Sequence, residues 1–373
     1  MSHICYLTGM YPRQDSLIFH RQGKSMAAAG YKVTYLVCDE EADETLEGVE
    51  IVSCRFKPKN RLERMLKTRG LLYRKAVEVD ADVYQISEPE LLPLGLKLRR
   101  LGKKVVYNMR EYSSADLKYK TYLHPWLRLP ASWLLEVFMR STLRKYQAVF
   151  SVTPELVEVV GQKWGIAHSY LLTNFPMVDP SFELTKEDYL KRGNVLAYIG
   201  TIYDTSRQEQ VFKALENLPR VSYLMAGILG PGAQYVTQLP YWRNVRFING
   251  FKRQELSCIF AQCSMSNVLR DDAASGTPNG SFGVIKLFES MEAALPIICS
   301  DVPVNRQLVE EYRAGICVNP NRADQIEEAI RFLVENKELA YEMGQNGRRA
   351  VLEKYNWENQ FRLYVDVIGH LIG

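Results

Sequence analysis

Two successive blocks of alternating strand-like and helix-like segments place the strongest constraint on the fold of this chain. In the first block, short β-branched or aromatic runs lie at residues 4–7, 33–38, 49–56, 83–86, 105–108 and 148–152. In the second block, similar runs lie at residues 195–199, 223–226, 245–248, 265–268, 296–299 and 316–318. Strands that alternate with helices favour a parallel sheet covered on both faces. We therefore predict two doubly wound α/β domains.

A polar, proline-bearing passage at residues 173–194 separates the two blocks. The chain has 373 residues, which suits two domains of about 150 to 200 residues each. We predict an N-terminal domain over residues 1–180 and a C-terminal domain over residues 190–355. Residues 356–373 have helical apolar spacing and are predicted to cross back to the first domain. The first helix is predicted over residues 17–30, with Gly30 as its C′ residue.

Several classes of protein are disfavoured by composition. The N-terminus has no signal-like segment, and no apolar run is long enough to span a bilayer, so we expect a cytoplasmic protein. Seven cysteines without C-x-x-C spacing are typical of free thiols in a reducing compartment. The five histidines show no metal-ligand spacing, so we expect no metal. A net charge of +4 does not indicate a nucleic-acid partner.

The glycine pattern argues against a nicotinamide cofactor. The cluster of Gly227, Gly230 and Gly232 lacks the G-x-G-x-x-G spacing of a dinucleotide-binding loop. No other glycine cluster has that spacing between a strand and a helix, followed by an acidic residue about 20 residues on. A dehydrogenase is therefore a poor interpretation of the alternating pattern.

The most informative segment is G-S-F-G-V-I-K-L-F-E-S-M-E-A-A-L-P-I-I-C-S-D at residues 280–301. It predicts a glycine-bearing loop, a short helix from about Ile285 and a buried strand after Pro296. Free backbone N–H groups and the positive end of a helix dipole favour a diphosphate at such a loop. Lys286 and Glu289 lie three residues apart on one face, where they could bind a nucleotide or form an ordinary solvated ion pair. Spacing alone favours the ion pair.

This segment resembles the K-L-F-E-x-M-A-A-G-L-P-V-I-x-S-D signature of the retaining glycosyltransferases of family 4, which have the GT-B fold. Further segments resemble the same family in the same order along the chain: D-V-Y-Q-I-S-E-P-E-L-L-P at 82–93, K-K-V-V-Y-N-M-R-E at 103–111, Y-I-G-T at 198–201, N-V-x-F-x-x-G at 244–250, A-G-I-C-V-x-P at 314–320 and K-Y-N-W at 354–357. The resemblance implies two Rossmann-like domains facing across a cleft that holds a nucleotide-sugar.

For the donor site, the resemblance implies that Glu289 binds the ribose and that Lys286 and Arg207 bind the diphosphate, and these three residues are also catalytic candidates. The other implied donor-binding residues lie in the loops that follow the strands of the second domain and before the signature helix: Gly200, Thr201, Gly227, Gly250, Phe251, Ser281, Phe282 and Gly283. Ser281 replaces the first glutamate of the family's E-x7-E motif, and Thr201 replaces an additional arginine found in many relatives. The nucleotide-diphosphate sugar is a co-substrate, and no further cofactor is implied.

The first domain departs more from the family pattern. Gln85, Ser87 and Glu88 replace the two histidines and the aspartate of H-x-H-D-P-E, while Asn108 and Arg110 replace residues of D-x-H-E. These positions face the transferred sugar and the acceptor in the family, so acceptor choice has shifted or catalysis is reduced. The acceptor-side candidates are Arg110, which is also a catalytic candidate, Glu111, Glu88 and His20. The implied acceptor is a saccharide or a polyprenyl-linked saccharide.

One strongly basic stretch and one aromatic stretch belong to the predicted acceptor domain. Nine basic residues and one acidic residue lie between Arg55 and Lys75, and Y-L-H-P-W-L at 122–127 is followed by W-L-L at 133–135. Such stretches are often a solvated face and ordinary core, respectively. Because family members often act on polyprenyl-linked acceptors, peripheral contact with an anionic membrane is an equal alternative.

The resulting functional hypothesis is transfer of a sugar, with retention of configuration and without a metal, in surface polysaccharide biosynthesis. In the resembled family, the leaving diphosphate helps to deprotonate the attacking hydroxyl on the same face of the sugar. Two alternatives stay open: a catalytically silent nucleotide-sugar-binding protein of the same fold, and a nucleotide-sugar epimerase of GT-B architecture. A silent binder would bind the nucleotide without forming product, and an epimerase would convert the donor without any acceptor.

Overall fold

The computed structural model describes residues 1–119, 123–274 and 279–373. The chain divides into two compact units. Unit 1 comprises Met1–Asn174 and Glu358–Gly373, and unit 2 comprises Phe175–Trp357. Each unit contains a sheet whose strands are parallel or almost all parallel, flanked by helices. This confirms the predicted fold class.

The sheet of unit 1 has eight strands in the order β3-β4-β2-β1-β5-β6-β7-β8. Its strands are β1 His3–Leu7, β2 Lys32–Val37, β3 Glu44–Leu46, β4 Val49–Ser53, β5 Val83–Ile86, β6 Lys104–Met109, β7 Ala148–Ser151 and β8 Ser169–Leu171. All neighbouring strands are parallel except β3 and β4. Ile4 of β1 lies opposite Val33 on one side and Val83 on the other. The antiparallel edge strand β3 was not predicted, because it is short and mostly exposed.

Among the residues described for unit 1, seven α-helices precede the entry of the chain into unit 2. They are α1 Lys24–Ala28, α2 Arg61–Glu63, α3 Arg69–Val79, α4 Leu92–Arg100, α5 Ser113–Asp116, α6 Pro125–Leu143 and α7 Pro154–Glu158. Three π-helical segments, Ile18–Gly23, Arg64–Thr68 and Val159–Lys163, extend α1, α3 and α7. The first predicted helix is thus partly π-helical, and Gly30 follows it with φ +89° as predicted. Tyr122 of the predicted aromatic stretch lies outside the described residues.

The last helix of the chain packs against the sheet of unit 1. The side chain of Tyr364 is fully buried, and its hydroxyl lies 3.1 Å from the Tyr6 hydroxyl on β1. The same hydroxyl donates to Oε1 of Gln85 on β5 at 2.8 Å. The ring of Tyr364 also packs edge-on against Phe150 on β7. The apolar spacing of the last residues is therefore explained by a helix buried on one face.

The sheet of unit 2 has six parallel strands in the order β11-β10-β9-β12-β13-β14. They are β9 Val195–Ile199, β10 Ser222–Gly227, β11 Val245–Asn249, β12 Met265–Val268, β13 Ile297–Ser300 and β14 Gly315–Val318. The α-helices of the rest of the chain are α8 Lys186–Lys191, α9 Gln208–Glu216, α10 Leu256–Phe260, α11 Ile285–Glu292, α12 Pro303–Tyr312, α13 Ala323–Glu335, α14 Lys337–Glu353 and α15 Trp357–Ile372. Helix α15 belongs to unit 1 from Glu358 onwards.

Helix α14 holds the end of α11 in place. A Cβ on Gly344 of α14 would lie 2.0 Å from the backbone oxygen of Ala294, so only glycine permits this approach. The guanidinium of Arg348 donates to the backbone oxygen of Glu292 at 2.7 Å. Ala294 adopts φ +55° just after the helix, in a conformation that glycine normally occupies at a C′ position. The turn after α11 is therefore strained but tightly packed.

Candidate functional site

The two central strands of unit 2, β9 and β12, form a topological switch point. The chain leaves β9 towards β10 and leaves β12 towards β13, on opposite sides. In open α/β sheets, ligands bind at the carboxyl ends of the strands where the order reverses in this way. The loops that begin at Gly200 and Leu269 follow these two strands. The structure therefore places the predicted donor residues of the first loop at the expected edge of the sheet.

Glycines with positive φ lie at the carboxyl ends of β9, β10 and β11, and two of them allow a close approach of the backbone. Gly200 has φ +124° and Gly227 has φ +148°. A Cβ on Gly227 would lie 2.0 Å from the backbone oxygen of Gly200, so the two loops are in direct contact. Gly250 after β11 has φ +75° but open space around its Cα. The backbone at this edge is thereby close-packed near Gly200 and open near Gly250.

Lys286, in the first turn of α11, lies beside Gly200 and Tyr198. Its Nζ donates to the Tyr198 hydroxyl at 2.6 Å and lies 4.2 Å from the centroid of the Tyr198 ring. The Tyr198 hydroxyl also lies 3.0 Å from the backbone oxygen of Thr201 and 2.7 Å from Oγ of Ser206. The lysine is thus held at the carboxyl end of β9 by a neutral phenol. Its positive charge is not neutralised by a carboxylate among the described residues.

Glu289 lies one turn further along α11 and has a different partner. Its Oε1 accepts from Nη1 of Arg253 at 2.9 Å, and the side chain is only 15% exposed. Arg253 follows Gly250 in the loop after β11. The solvated Lys286–Glu289 ion pair, which spacing alone favoured, is therefore not formed. Lys286 instead reaches Tyr198 on β9, and Glu289 reaches Arg253 in the loop after β11.

A second carboxyl group, Glu292, lies buried on the same helix. Its side chain is 1% exposed, and Oε1 accepts from the backbone N–H of Asp179 at 2.6 Å. Burial raises the pKa of Glu292 to about 8, while this hydrogen bond and the positive charge of Arg253 oppose the rise. The negative charge of Glu289 raises it further. Glu292 therefore carries a proton at neutral pH.

Arg207 lies at the same edge but is paired. Its Nη2 donates to Oδ2 of Asp271 at 2.6 Å, and Nη1 lies 3.9 Å from Oε1 of Glu209. The hydrogen bond to Asp271 raises the pKa of the guanidinium, and burial opposes it. Arg207 itself adopts φ +48° at the start of α9. Because Asp271 follows β12, this ion pair joins the two loops of the switch point.

The remaining predicted donor residues are placed by packing and turn geometry. The ring of Phe282 stacks on Phe288 and Tyr355, with centroids 6.4 and 6.3 Å away. Phe251 packs against an apolar cluster that contains Leu295. The N–H of Gly283 donates to Oγ of Ser281 at 3.0 Å. The loop before α11 is therefore anchored by its aromatic side chain, and it presents backbone rather than side-chain groups.

Unit 1 has its own switch point between β1 and β5, where a cavity of about 520 Å³ opens. It is lined by residues that follow β1, β5 and β6 and by residues of the π-helical segment after α2, of α3 and of α6: Met10, Tyr11, Arg64, Met65, Arg69, Ser87, Glu88, Pro89, Glu90, Pro93, Glu111, Ser113, Leu117, Leu135 and Phe138. Two of the predicted acceptor-side residues, Glu88 and Glu111, are among them. The cavity combines charged groups with an apolar wall.

Glu88 is the most buried charged group of this cavity. Its Oε1 accepts from Oγ1 of Thr8, and its Oε2 accepts from the backbone N–H of Gly9 at 3.3 Å. Burial raises the pKa of Glu88 to about 7, although both hydrogen bonds favour the ionised form. The group can therefore gain or lose a proton near neutral pH.

Arg110 and His20 lie outside the lining of this cavity. The Arg110 guanidinium lies 4.0 Å from the centroid of the Tyr11 ring and 3.0 Å from Oδ1 of Asp15. It therefore supports a ring that lines the cavity. His20 is half-buried in the segment Ile18–Gly23, where it packs edge-on against Phe19. Of the four acceptor-side candidates, two line the cavity and one contacts a lining residue.

Sequence reasoning missed several residues that contribute to these sites. Arg64 and Arg69 of the basic stretch line the cavity of unit 1, and Nη2 of Arg64 donates to Oε1 of Glu90 at 2.8 Å. The density of basic residues in this stretch is visible in the sequence, but the sequence does not show that two of them line a cavity. Arg253 carried no signal, because nothing in its local sequence relates it to Glu289.

Within the described parts of the chain, no group of three His, Cys, Asp or Glu side chains could hold a metal ion. Within the same residues, no helix combines the length and the apolar character needed to cross a membrane.

Two family models match the chain, one in each unit. The model described as glycosyl transferases group 1 matches residues 182–350, and the model described as glycosyl transferase 4-like domain matches residues 17–170. Together these ranges take in most of the chain. No curated protein matches it.

Solved structures share the fold at low identity. Sucrose-phosphate synthase from Thermosynechococcus elongatus is 17% identical with a TM-score of 0.75, covering 99% of this chain and 100% of that one. HepE from Anabaena, solved with UDP and glucose, is 14% identical with a TM-score of 0.71, covering 99% of each chain. WaaG, a glycosyltransferase involved in lipopolysaccharide biosynthesis, is 16% identical with a TM-score of 0.70, covering 98% of this chain and 100% of that one. The chain is a GT-B glycosyltransferase, built from a glycosyl transferase 4-like domain and a glycosyl transferases group 1 domain.

Proposed function

We propose that this protein transfers a sugar, with retention of configuration, from a nucleoside-diphosphate sugar bound by unit 2 to a saccharide acceptor bound by unit 1. We assign the reaction to surface polysaccharide biosynthesis, with a free or polyprenyl-linked saccharide as acceptor. The HepE structure in complex with UDP-glucose supports the donor class, and the role of WaaG in lipopolysaccharide biosynthesis supports the acceptor class.

The arrangement of Lys286 and Glu289 is the observation that carries this proposal. A cation and a carboxylate lie one helical turn apart beside the switch point of unit 2, and they do not neutralise each other. Lys286 is held by a neutral phenol, so its full charge is available to a diphosphate. Arg207 shares its charge with Asp271 and Glu209 and would contribute less. Glu289 keeps Oε2 for a ribose hydroxyl.

The proposed reaction breaks the bond between the anomeric carbon and the diphosphate oxygen, and it forms a bond to the acceptor oxygen on the same face. The acceptor proton passes to an oxygen of the leaving diphosphate. The contribution of the protein is to position both substrates and to stabilise the negative charge that develops on the diphosphate. In this proposal Lys286, Arg207 and the loop backbone at Phe282 and Gly283 stabilise that charge without a metal.

On the acceptor side, we assign the cavity of unit 1 to the saccharide. Glu88 and Glu111 offer acceptors for sugar hydroxyls, and Ser87 and Ser113 offer hydroxyl groups. Arg110 holds the ring of Tyr11, which forms part of the wall. Aromatic and apolar walls with a few polar groups are typical of sites for small molecules.

Donor binding is tested by thermal melting of the purified protein with millimolar UDP, GDP, dTDP or ADP in the presence of EDTA. A ligand that binds only the folded state stabilises it by RT ln(1 + [L]/Kd). We expect one nucleotide to raise the melting temperature and Glu289→Ala to abolish the shift. Glu310→Ala, which removes an exposed carboxylate from α12, is the matched control. If no nucleotide shifts the melting temperature, the proposed donor site is wrong.

Turnover is tested with the donor that the melting assay selects and with a saccharide acceptor. We expect Glu289→Ala to lower turnover at least tenfold, because a lost hydrogen bond to a charged group costs about 1.5–3 kcal/mol. The anomeric proton coupling of the product, measured by NMR, reports the configuration. An inverted product would contradict the proposed mechanism, and activity that EDTA removes would contradict its independence of a metal.

We further propose that unit 1 contacts an anionic membrane surface. Helix α6 exposes Trp126, Leu129 and Trp133 to 68%, 66% and 65%, and these residues belong to the same unit as the basic stretch. Such surfaces bind where apolar side chains enter the interface and basic ones meet anionic lipid. We expect the protein to sediment with phosphatidylglycerol vesicles. Added salt and the substitution Leu129→Ser should each reduce the fraction that sediments. Leu352→Ser, on α14 of unit 2, is the control, and absence of sedimentation at low salt contradicts the proposal.

A further inference from the structure

Arg253 occupies a defined position in the loop after β11. The loop turns at Gly250, and the N–H of Lys252 donates to Oε2 of Glu255 at 2.7 Å. The backbone N–H of Glu255 donates to the backbone oxygen of Lys252 at 2.9 Å. These bonds close a short helical turn at Arg253–Glu255. The backbone of Arg253 is therefore fixed next to the carboxyl end of a sheet strand.

From this turn, the guanidinium reaches the carboxylate of Glu289. Nη1 donates to Oε1 at 2.9 Å, and the two side chains are 34% and 15% exposed. Among the described residues, Oε2 of Glu289 has no partner, and Arg253 keeps further N–H groups. Pairing with one oxygen fixes the side-chain rotamer of Glu289 and leaves the second oxygen directed to another donor.

The other two polar side chains of α11 near Glu289 are bound elsewhere. Oε1 of Glu292, one turn further along the helix, accepts from the backbone N–H of Asp179. Nζ of Lys286, one turn earlier, donates to Tyr198. Arg253 is therefore the cation that fixes the direction of the Glu289 side chain, and a carboxylate accepts hydrogen bonds without donating any.

We infer that Arg253 is a positioning residue for the nucleotide ribose: it fixes Glu289 to accept from the 2′- and 3′-hydroxyl groups, so the donor is a ribonucleotide sugar rather than a deoxyribonucleotide sugar. The inference rests on the proposed donor site. A deoxyribose lacks the 2′-hydroxyl, so part of the carboxylate loses its hydrogen-bond donor. The loss weakens binding strongly, because the acceptor is charged and fixed in direction.

The test compares the dissociation constants of matched nucleotide pairs by isothermal titration calorimetry: UDP with 2′-deoxy-UDP, GDP with 2′-deoxy-GDP, and ADP with 2′-deoxy-ADP. For the pair that binds, we expect the wild type to prefer the ribonucleotide about tenfold or more. Arg253→Gln should reduce this preference to about threefold or less by weakening ribonucleotide binding, and Arg253→Lys should restore part of it. The melting temperature of each variant checks that unit 2 is folded.

Arg246→Gln is the matched control, because Arg246 lies on β11 itself, is exposed and donates to Gln262 rather than to a donor-site carboxylate. It should keep the wild-type preference. An unchanged preference in Arg253→Gln overturns the inference, as does equal weakening of both nucleotides or tighter ribonucleotide binding. A wild type that binds both members of a pair alike, or that binds dTDP and no ribonucleotide, overturns the inference alone, whereas a wild type that binds none of these nucleotides overturns the proposed function with it.

Discussion

Replacing Glu292 by glutamine should make the protein more resistant to alkaline pH. Burial raises the pKa of this carboxyl from 4.5 to about 8 in the folded protein. The folded state therefore keeps a proton that the unfolded chain releases above pH 4.5. The free energy of unfolding falls as the pH rises from 4.5 through 8, because the folded state binds more protons over this range. Glutamine has the same shape and does not titrate, so the variant lacks this loss.

The size of the effect follows from the same two pKa values. Between pH 5 and pH 8, a carboxyl group of this kind reduces the free energy of unfolding by about 3 kcal/mol. The variant should gain that amount relative to the wild type over the same range. For a unit of this size, the gain corresponds to roughly 6 to 12 °C in melting temperature. The glutamine oxygen can still accept from the backbone N–H of Asp179.

The assay is urea unfolding of wild type and variant at half-unit intervals from pH 5 to pH 8.5, with the difference between them plotted against pH. Taking this difference cancels the groups that titrate equally in both proteins. Glu335→Gln, which removes an exposed carboxylate from α13, is the control and should give a flat difference. A flat difference for Glu292→Gln would refute the reasoning, because it would mean that the buried group is ionised throughout.

Three further predictions concern stability. Gly227→Ala should destabilise unit 2 by more than about 3 kcal/mol in urea unfolding, because its Cβ would lie 2.0 Å from the Gly200 oxygen, whereas Gly250→Ala should cost only about 1 kcal/mol since nothing lies within 4 Å. Similar losses for both would contradict the packing argument. Ala294→Gly should stabilise the protein by up to about 1 kcal/mol by relieving φ +55°, and a clear loss in the same assay would contradict it. Glu88→Gln should gain stability over the wild type from pH 5 to about pH 7 and then level off, because burial raises the pKa of Glu88 to about 7; a flat difference would contradict this.

Much of the fold followed from local pattern. Fully buried parallel strands are short apolar runs, and the segments between them are long enough for helices, so the alternation could be detected without any tertiary information. The short antiparallel strand β3 escaped prediction because exposed edge strands carry no apolar pattern. The helix α14 was also not predicted, although one side of it is buried.

The sequence by itself determined that there are two α/β units and that Lys286 and Glu289 share one helical face, since both properties depend on neighbours a few residues apart. Only the tertiary structure decided what those side chains contact. Tyr198 lies 88 residues from Lys286, and Arg253 lies 36 residues from Glu289. A parallel sheet gathers the carboxyl ends of distant strands at one edge, and local spacing contains no record of which loops meet there.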